Sequence, residues 1–422
     1  MRIAYLTGEY PRATDTFIQR EVAALRQQGA QVETFSVRPT GEEHMVGEEQ
    51  KQERNQTFYI LPPNPIKVLR AHLNLLLASP KRYLAGLKLA RATRLHGLRG
   101  NLYQLFYFLE AGILAHEIKR RQIPHLHNHF GDSSCSVAML AAELGGFSYS
   151  FTLHGPYIFF EPYHWRLDEK INRALFVSCI SNYCRSQGMI FSPIEKWNKL
   201  KIVHCGIDPA LFNIVSHQGK GKRLLFVARL SAVKGLPILL QSLVSLKQHH
   251  SDVTLTVVGD GSDRTYLEQM TVDLGLSDNV NFVGYKSQAE VRKYFEEADV
   301  FVSSSFAEGV PVVLMEAMAA GVPVVAPQIA GVSELVENGV SGYIVPPGDT
   351  ISLAKSIEKL LNDAELRTKF GIAGRNKVEK EFNINIEAEK LYQVMSKAIN
   401  NEQLSVNNEQ LAIKDEQLIT DN

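Results

Sequence analysis

Two α/β domains, each with a parallel β-sheet covered by helices, are the fold class that the sequence predicts. The chain has 422 residues, which exceeds what one core ordinarily organises and suits two domains of roughly 200 residues each. Apolar runs that favour strands alternate with helical patterns throughout, as in parallel sheets with crossover helices. A polar stretch rich in glycine and lysine, His217–Lys222, separates two such series. We therefore predict domains at 1–215 and 216–385, followed by a C-terminal helix at 386–400 and a tail at 401–422.

The first series opens with an apolar strand at 2–7 and a helix from Thr16 to Gln28, with a candidate capping box at Thr16 and Gln19. Further strands of this sheet are expected at Val32–Val37, His125–His129, Tyr149–Leu153 and Phe176–Ile180. In the second series, strands are expected at Leu224–Val227, Val253–Val258, Val280–Phe282, Val300–Ser303, Val322–Ala326 and Gly342–Val345, and helices at Pro237–Lys247 and Val312–Ala320.

Composition excludes several classes of function. The formal net charge is zero, whereas proteins that neutralise nucleic-acid phosphates usually carry a basic excess. The four cysteines show no CxxC spacing, which favours reduced thiols over a disulfide framework or a zinc site. The N-terminal apolar run is too short for a signal peptide, and no run of about 18 apolar residues is available to span a bilayer. We therefore expect a cytoplasmic protein.

The segment 54–109 has an unusual charge pattern. It contains no aspartate or glutamate, and its nine cations are interleaved with leucines: Arg54, Lys67, Arg70, Lys81, Arg82, Lys88, Arg91, Arg94 and Arg99. A basic amphipathic segment of this kind binds anionic membrane surfaces. The alternative is a solvated helix face in the first domain. The sequence leaves both open, so a peripheral location on the inner face of the cell membrane is one of two expectations.

The last residues form a tandem repeat of three heptads, Asn400–Val406, Asn407–Ile413 and Lys414–Thr420. A leucine recurs in each heptad, but its apolar companion lies two positions later, which makes a poor coiled-coil seam. We therefore predict a disordered, acidic, low-complexity tail.

Two glutamates, Glu308 and Glu316, stand eight residues apart around the predicted start of a helix, with Gly309 and Pro311 at the turn. The N-terminus of a helix offers unbonded N–H groups and a positive dipole end, which suit a diphosphate. Carboxylates accept hydrogen bonds from sugar hydroxyls. Taken alone, the pair is explained as well by capping and a solvated glutamate.

Arg229 and Lys234 follow the first strand of the second series and precede the Pro237 helix. Two cations beside a glycine turn at the carboxyl end of a strand suit a pyrophosphate. In isolation they could equally be a pair of surface cations. The glycine-rich turn at Gly259-Asp260-Gly261 follows another strand. By itself such a turn is weak evidence for a ligand site.

Three histidines lie at strand ends in the first half. His154 follows the apolar strand at 149–153, on the edge where open α/β sheets bind ligands, although a structural histidine is the commoner explanation. His127 and His129 share one face of a strand, but the sequence shows no third ligand and a metal site is disfavoured. The sequence also lacks a DxD motif, a serine nucleophile elbow and a Walker A loop.

Together these motifs resemble the retaining GT-B glycosyltransferases of family 4. The resemblance is carried by Arg229-x4-Lys234-Gly235, Gly259-Asp-Gly261, Asn281-Phe-Val-Gly284, Glu308-x7-Glu316, Gly321-x-Pro-Val-Val325 and Gly331-Val-Ser-Glu334. It covers about residues 1–395 and is strongest from 222 to 350. The segment from Tyr10 to Ile18 is similar to the exopolysaccharide and colanic-acid-type branch, many members of which carry Ser-Glu where this chain has Thr14-Asp15.

The resemblance implies two Rossmann-like domains that face each other across a cleft, and it implies a role for each matching residue. Arg229 and Lys234 would hold the donor diphosphate. Glu316 would bind the ribose, and Glu308 would bind hydroxyls of the donor sugar. The remaining expected contacts are the backbone of Gly309, Val312 and Val313 for the phosphate or sugar, Val283 and Lys286 for the base, His154 for the transferred sugar, and Tyr10, Thr14, Asp15 and Thr16 for the acceptor.

The implied reaction needs no metal and no cofactor, since the nucleotide diphosphate sugar is itself a substrate. The expected acceptor is a glycan or a lipid-linked glycan of surface polysaccharide assembly, and no nucleic-acid partner is expected. Two alternatives remain. One is a sugar synthase or phosphorylase with a soluble acceptor, and the other is a catalytically idle GT-B scaffold.

Overall fold

The structure is a computed structural model, and it describes residues 1–12, 14–44, 47–218 and 221–420. The chain divides into two compact units. The first comprises Met1–Ile180, Arg185–Val203 and the chain from Ala388 onward, and the second comprises Ser181–Cys184 and His204–Glu387. Each unit holds one parallel sheet, which confirms the predicted fold class.

The first sheet has seven strands in the order β3-β2-β1-β4-β5-β6-β7. Its strands are β1 (Arg2–Glu9), β2 (Gln31–Arg38), β3 (Phe58–Tyr59), β4 (His125–His129), β5 (Ser148–Leu153), β6 (Val177–Cys179) and β7 (Leu200–Ile202). The second sheet has six strands in the order β10-β9-β8-β11-β12-β13. Its strands are β8 (Arg223–Val227), β9 (Thr254–Val258), β10 (Val280–Gly284), β11 (Val300–Val302), β12 (Val324–Pro327) and β13 (Gly342–Val345).

Helices connect the strands of both sheets. In the first unit and the chain that leads out of it they are α1 (Thr16–Gln27), α2 (Glu48–Gln56), α3 (Pro65–Ala78), α4 (Pro80–Thr93), α5 (Gly97–Arg120), α6 (Ser133–Gly145), α7 (Tyr157–Phe160), α8 (Leu167–Arg173) and α9 (Asn182–Ile190). Those that follow are α10 (Leu236–His249), α11 (Arg264–Asp273), α12 (Gln288–Glu297), α13 (Val312–Ala319), α14 (Val332–Leu335), α15 (Thr350–Asn362), α16 (Ala364–Glu381) and α17 (Ile384–Thr420).

Burial on both faces explains why the strands have continuous apolar runs. All residues of β11 and β12 are buried, and β-branched residues dominate them, as expected for central strands of a covered parallel sheet. The core of the second unit joins these strands to apolar faces of α10 and α15, through residues such as Val302, Leu239 and Ile357. At about 25 cal/mol per Å² of apolar surface, this burial is the main force that holds the sheet and helices together.

Most predicted elements lie within a residue or two of the observed ones, but the capping box is wrong. Asp15 occupies the N-cap position of α1 and makes no side-chain cap. Gln19 instead donates to the carbonyl of Arg12 at 2.9 Å, so it ties the preceding loop to the helix. The short strands β3 and β7 were not predicted, because two or three residues carry no readable periodicity.

Hydrogen-bonding contacts anchor the chain on both sides of the predicted domain boundary. His217 Nε2 lies 3.0 Å from the carbonyl oxygen of Gly321, and Gly221 donates to the carbonyl of Leu361. The two residues between these anchors, 219 and 220, lie outside the described part of the chain. Helix α17 continues through the repeat as far as Thr420, while residues 421 and 422 lie outside the described residues. The domain boundary at 215 and the disorder of the tail remain predictions.

Within the described ranges, no helix combines the length and apolar character needed to cross a bilayer. Each of the four cysteines is buried, and none of them forms a disulfide bond within the described residues.

Candidate functional site

The candidate donor site lies at the carboxyl edge of the second sheet. Strands β8 and β11 are neighbours, yet the chain leaves β8 toward β9 on one side and reaches β12 from β11 on the other. The crossovers therefore diverge at this pair of strands, and open α/β sheets bind ligands at such switch points. The loop after β8 carries Arg229 and Lys234, and the loop after β11 carries Glu308.

Glycines allow the loops at this edge to approach one another. Gly235 has a φ of 64°, and a Cβ on it would lie 2.0 Å from the carbonyl oxygen of Ser304. Gly259 has a φ of 132°, and a Cβ there would lie 1.9 Å from the carbonyl oxygen of Ala228. Any side chain would push these loops apart, which gives a physical reason for glycine at two positions of the predicted motifs.

The loop after β11 leads into helix α13, whose N-cap position is Pro311. The first N–H groups of the helix are those of Val312 and Val313, and a helix leaves its first N–H groups without intrahelical partners. The carbonyl of Gly309 accepts a hydrogen bond from Gly331 N at 3.1 Å, which holds the turn against the start of α14. The structure therefore places a helix start at this turn, and the binding of an anion by its first N–H groups remains a prediction.

Lys234 and Glu308 form an ion pair, with 2.5 Å between Nζ and Oε1. Both side chains are largely shielded, with 25% and 15% exposure. The loops of β8 and β11 therefore meet through opposite charges at the predicted site. Arg229 is exposed and Glu316 is half-buried on α13.

The residues predicted to contact the base lie at the end of β10, which β9 separates from β8. Val283 belongs to β10, and Gly284 ends it with a φ of 75°. Lys286 follows, and its Nζ lies 3.8 Å from Glu290 on α12. Because β10 is two strands from β8, these residues share the carboxyl edge with Arg229 and Lys234.

In the first unit, His154 lies at the top of a ladder of polar side chains between β4 and β5. His125 lies 2.9 and 2.7 Å from the hydroxyls of Ser148 and Ser150, and His127 lies 2.8 and 2.9 Å from those of Ser150 and Thr152. The next member, His129, has its Nδ1 3.0 Å from Nε2 of His154. The alternation of the two strands places all of these groups on one face.

Burial governs the charge state of this ladder. It lowers the pKa of His154 well below the usual range, and the neighbouring His129 lowers it further. It lowers the pKa of His127 in the same way, and that of His125 to about 3. These three imidazoles are therefore neutral at physiological pH.

The structure supplies the third potential metal ligand that the sequence does not reveal. One ligand atom from each of Glu21, His127 and His129 lies within 4.8 Å of the others. Glu21 precedes His129 by 108 residues, so no local spacing could connect them. Hydrogen bonds already account for these atoms, because both nitrogens of His127 face hydroxyls and Glu21 pairs with His129 and Tyr5.

A cavity of about 210 Å³ lies at the carboxyl edge of the first sheet, where β1 and β4 diverge. It is lined by Gly8, Glu9, Arg12, Asp15, Arg38, Tyr107, Glu110, Asp132 and Ser134, among others. Burial raises the pKa of Glu110 to about 7, against the lowering effect of Arg38. Carboxyl and guanidinium groups around a small cavity suit the hydroxyls of a sugar.

Of the predicted acceptor residues, Asp15 lines the cavity, Thr14 and Thr16 adjoin it in the chain, and Tyr10 is buried. Asp15 lines the cavity, and burial raises the pKa of its carboxyl. Thr14 is exposed and Thr16 begins α1 beside it. Tyr10 is only 3% exposed and donates its hydroxyl to Glu53 at 3.0 Å, so it fixes the loop from within. Residue 13 of the same motif lies outside the described residues.

Sequence analysis did not single out several residues of these sites, among them the helical residues Glu21 and Glu110. Both occupy helices, α1 and α5, where an isolated glutamate resembles any solvated residue. The available signal is their spacing from apolar positions, since Glu21 adjoins buried Val22 and lies three residues after buried Ile18. That position falls on the inward face of an amphipathic helix.

Comparisons with known proteins agree with this geometry. Residues 208–377 match the family model described as glycosyl transferases group 1. The chain is 36% identical over 207 residues to the amylovoran biosynthesis glycosyltransferase AmsK of Erwinia amylovora, an alignment that covers 47% of this chain and 51% of AmsK. It is 26% identical over 428 residues to WcaL of Salmonella typhimurium, which covers 94% of this chain and all of WcaL.

Among solved structures, Anabaena Alr3699/HepE in complex with UDP has a TM-score of 0.70 and 18% identity, over 94% of this chain and 100% of that one. At this identity the likeness concerns the fold alone. The alignment with AmsK spans about half of that relative's length. The structural match with HepE, in contrast, covers 94% of this chain and 100% of HepE. The chain is therefore similar to the group 1 glycosyltransferases over residues 208–377, and its two doubly wound sheets are those of the GT-B fold.

Proposed function

We propose that this protein is a retaining, metal-independent glycosyltransferase of surface polysaccharide biosynthesis. It moves a sugar from a nucleotide diphosphate sugar to a glycan or a lipid-linked glycan. The observation that carries the proposal is the meeting of Lys234 and Glu308 at the switch point of the second sheet, 2.5 Å apart. Lys234 is a cation that can bind phosphate, and Glu308 is a carboxylate that can bind sugar hydroxyls. The two side chains are in contact, and Glu308 lies on the loop that leads into α13.

The donor contacts follow from the chemistry of the leaving group. Breaking the sugar–phosphate bond leaves negative charge on the nucleotide diphosphate. Arg229, Lys234 and the N–H groups of Val312 and Val313 stabilise that charge in place of a metal ion. Glu316 accepts hydrogen bonds from the ribose hydroxyls, and the base lies near Val283 and Lys286.

The Lys234–Glu308 ion pair adds a condition to donor binding. Lys234 must exchange part of its interaction with Glu308 for the diphosphate, and Glu308 is then available to hydroxyls of the donor sugar. Since both groups are largely shielded, the pair keeps either charge from being buried alone before the donor arrives. Retention follows from attack on the same face of the sugar, with the donor phosphate taking the acceptor proton.

The nucleotide is proposed to be UDP. The HepE structures similar to this chain include complexes with UDP and with UDP-glucose. The donor in this protein is therefore proposed to be a UDP-hexose, and the enzyme a hexosyltransferase.

The acceptor is proposed to enter the cavity of the first unit. Asp15, Glu110 and Asp132 offer carboxyl groups there, and Thr14 and Thr16 lie on the adjoining loop and helix start. His154 is proposed to contact the transferred sugar. A carboxyl whose pKa is about 7 can donate as well as accept, so Glu110 can bind hydroxyls in either role.

The surface of α3, α4 and α5 is proposed to dock on an anionic bilayer. These helices pack together around His72, whose Nδ1 lies 3.0 Å from the Tyr83 hydroxyl. Their outer side exposes large apolar residues, including Leu69 (62%), Leu77 (78%) and Leu98 (88%). The exposed apolar and basic side chains there, with no acid from 54 to 109, have the composition of an interfacial membrane surface.

Replacing Glu316 by alanine tests the donor site. A half-buried carboxylate that accepts from ribose hydroxyls contributes about 1–3 kcal/mol to nucleotide binding, so we expect UDP affinity to fall about 5- to 150-fold by calorimetry. Glu365→Ala removes an exposed acid from the first turn of α16 in the same unit and serves as the control. Equal affinity of the wild type and Glu316→Ala would contradict the assignment.

A further inference from the structure

Two glutamates of α5 have the same burial but different surroundings. Glu110 and Glu117 are each 8% exposed. The carboxylate of Glu117 accepts hydrogen bonds from Arg120 and Arg121, and these bonds, that from Arg120 above all, lower its pKa to about 2. Among the residues that the structure describes, none forms a hydrogen bond or an ion pair with the carboxyl group of Glu110. Buried polar groups nearly always have such a partner, so Glu110 needs an explanation that Glu117 does not.

Glu110 lines the cavity at the carboxyl edge of the first sheet, which lies within the first unit. The other titratable side chains of the described lining come from the loop after β1, the end of β2, α5 itself and the loop after β4; they are Glu9, Arg12, Asp15, Arg38, Tyr107 and Asp132. With Glu110, four of these residues are acidic and two are basic. Nε of Arg12 lies 3.8 Å from a carboxylate oxygen of Glu9 and 3.6 Å from one of Asp15, so one of the two cations already has carboxylate neighbours.

The charge of Glu110 depends on pH in the neutral range. Burial raises its pKa to about 7, and Arg38 opposes this increase. The ionised form has lost much of its hydration without gaining a donor from the protein, which is costly. A ligand that brings hydrogen-bond donors into the cavity therefore stabilises the ionised form. Sugar hydroxyls are such donors, and hydrogen bonds to a charged acceptor are about twice as strong as those between neutral groups.

We propose that this cavity binds an uncharged sugar unit of the acceptor, and that Glu110 accepts hydrogen bonds from its hydroxyls as a carboxylate. An acidic sugar would bring a further negative charge to a lining in which acidic residues outnumber basic ones. Because binding favours the ionised form, the affinity for the sugar rises as the pH rises through about 7. That the sugar belongs to the acceptor rests on the proposed function, whereas its binding in the cavity does not.

The first measurement is a carbon NMR titration of protein labelled with ¹³C at the glutamate carboxyl groups, in which Glu110→Gln identifies the signal of Glu110. We expect a midpoint near pH 7 without ligand and a lower midpoint with a methyl hexoside, tested as the methyl glycosides of glucose, galactose and mannose. A midpoint in the ordinary glutamate range without ligand, near pH 4, would overturn the proposal.

The second measurement is the affinity for the same methyl hexosides at two pH values, by ligand-observed NMR. Wild-type binding should be about 3- to 5-fold tighter near pH 8 than near pH 6, which is the difference between a charged and a neutral hydrogen bond. Glu110→Gln keeps the shape of the side chain without the charge, so it should bind with the lower affinity at both pH values. Glu49→Gln replaces an exposed glutamate of α2 in the same unit and should keep the wild-type response.

Several results would contradict the proposal. These are binding of no methyl hexoside, wild-type binding that does not change with pH, a pH response that survives in Glu110→Gln, and tighter binding of methyl glucuronide than of methyl glucoside near pH 8. If the hexosides bind as expected but no nucleotide sugar is turned over, the sugar site stands and the proposed function fails. If a nucleotide sugar is turned over but Glu110 responds to no sugar, the proposed function stands and this inference fails.

Discussion

Replacing Arg229 or Lys234 by alanine is expected to lower the turnover of sugar transfer about 100-fold or more. In the proposed function both cations face the charge that develops on the departing diphosphate, so their contribution is expected to be greatest in the transition state. The loss should therefore appear mainly in kcat, measured by initial rates at saturating donor. Lys234→Ala also leaves Glu308 without its 2.5 Å partner, so its effect should exceed that of Arg229→Ala.

Two further variants make this test specific. Arg229→Lys keeps the charge but loses the planar fork that binds a phosphate through two hydrogen bonds, so an intermediate rate is expected. Lys222→Ala removes an exposed cation next to the opposite end of β8 and should leave the rate unchanged. If Arg229→Ala and Lys234→Ala both matched Lys222→Ala, the cations would have no part in the reaction.

Reversing four cations of the first unit, Lys67, Lys81, Lys88 and Arg91, to glutamate is expected to abolish binding to anionic vesicles. All four are exposed on α3 and α4. Each cation near an anionic surface contributes about 1 kcal/mol to the free energy of membrane binding. Reversing four of them removes these contributions and adds repulsion, which together exceed the binding free energy of a peripheral protein. Co-sedimentation should show wild-type binding that weakens with salt, because the interaction is screened over about 10 Å.

The matched control reverses four exposed lysines of the second unit, Lys293, Lys355, Lys369 and Lys380. This variant has the same net charge, so it should retain vesicle binding if the surface of α3, α4 and α5 is the docking site. Hydrolysis of donor should survive in both variants. Equal binding of the wild type to neutral and anionic vesicles, or equal loss in both variants, would show that this surface is only a solvated helix face.

The sequence was most informative where periodicity and loop chemistry act locally. The strand at His125–His129 and the helix that begins at Val312 have their predicted bounds or nearly so, because a proline directly precedes each of them and a glycine follows each within two residues. The placement of Arg229 and Lys234 at the carboxyl end of a strand was predicted from the apolar run before them, and such strand ends lie at the ligand-binding edge of a parallel sheet.

What the sequence could not predict depends on contacts between distant segments. The Lys234–Glu308 pair spans 74 residues, and the Glu21–His129 pair spans 108. No local pattern encodes either one. The capping box at Thr16 and Gln19 failed for a related reason, since the carbonyl of Arg12 in the preceding loop competes for the Gln19 side chain.

The most direct test of the central claim is the release of nucleotide from a panel of UDP-sugars and GDP-sugars by the wild-type protein in EDTA. The account predicts that one UDP-hexose is turned over, that EDTA has little effect, and that Arg229→Ala loses nearly all of the rate. A protein that releases nucleotide from no donor of the panel, or whose activity EDTA abolishes and magnesium or manganese restores, would contradict it.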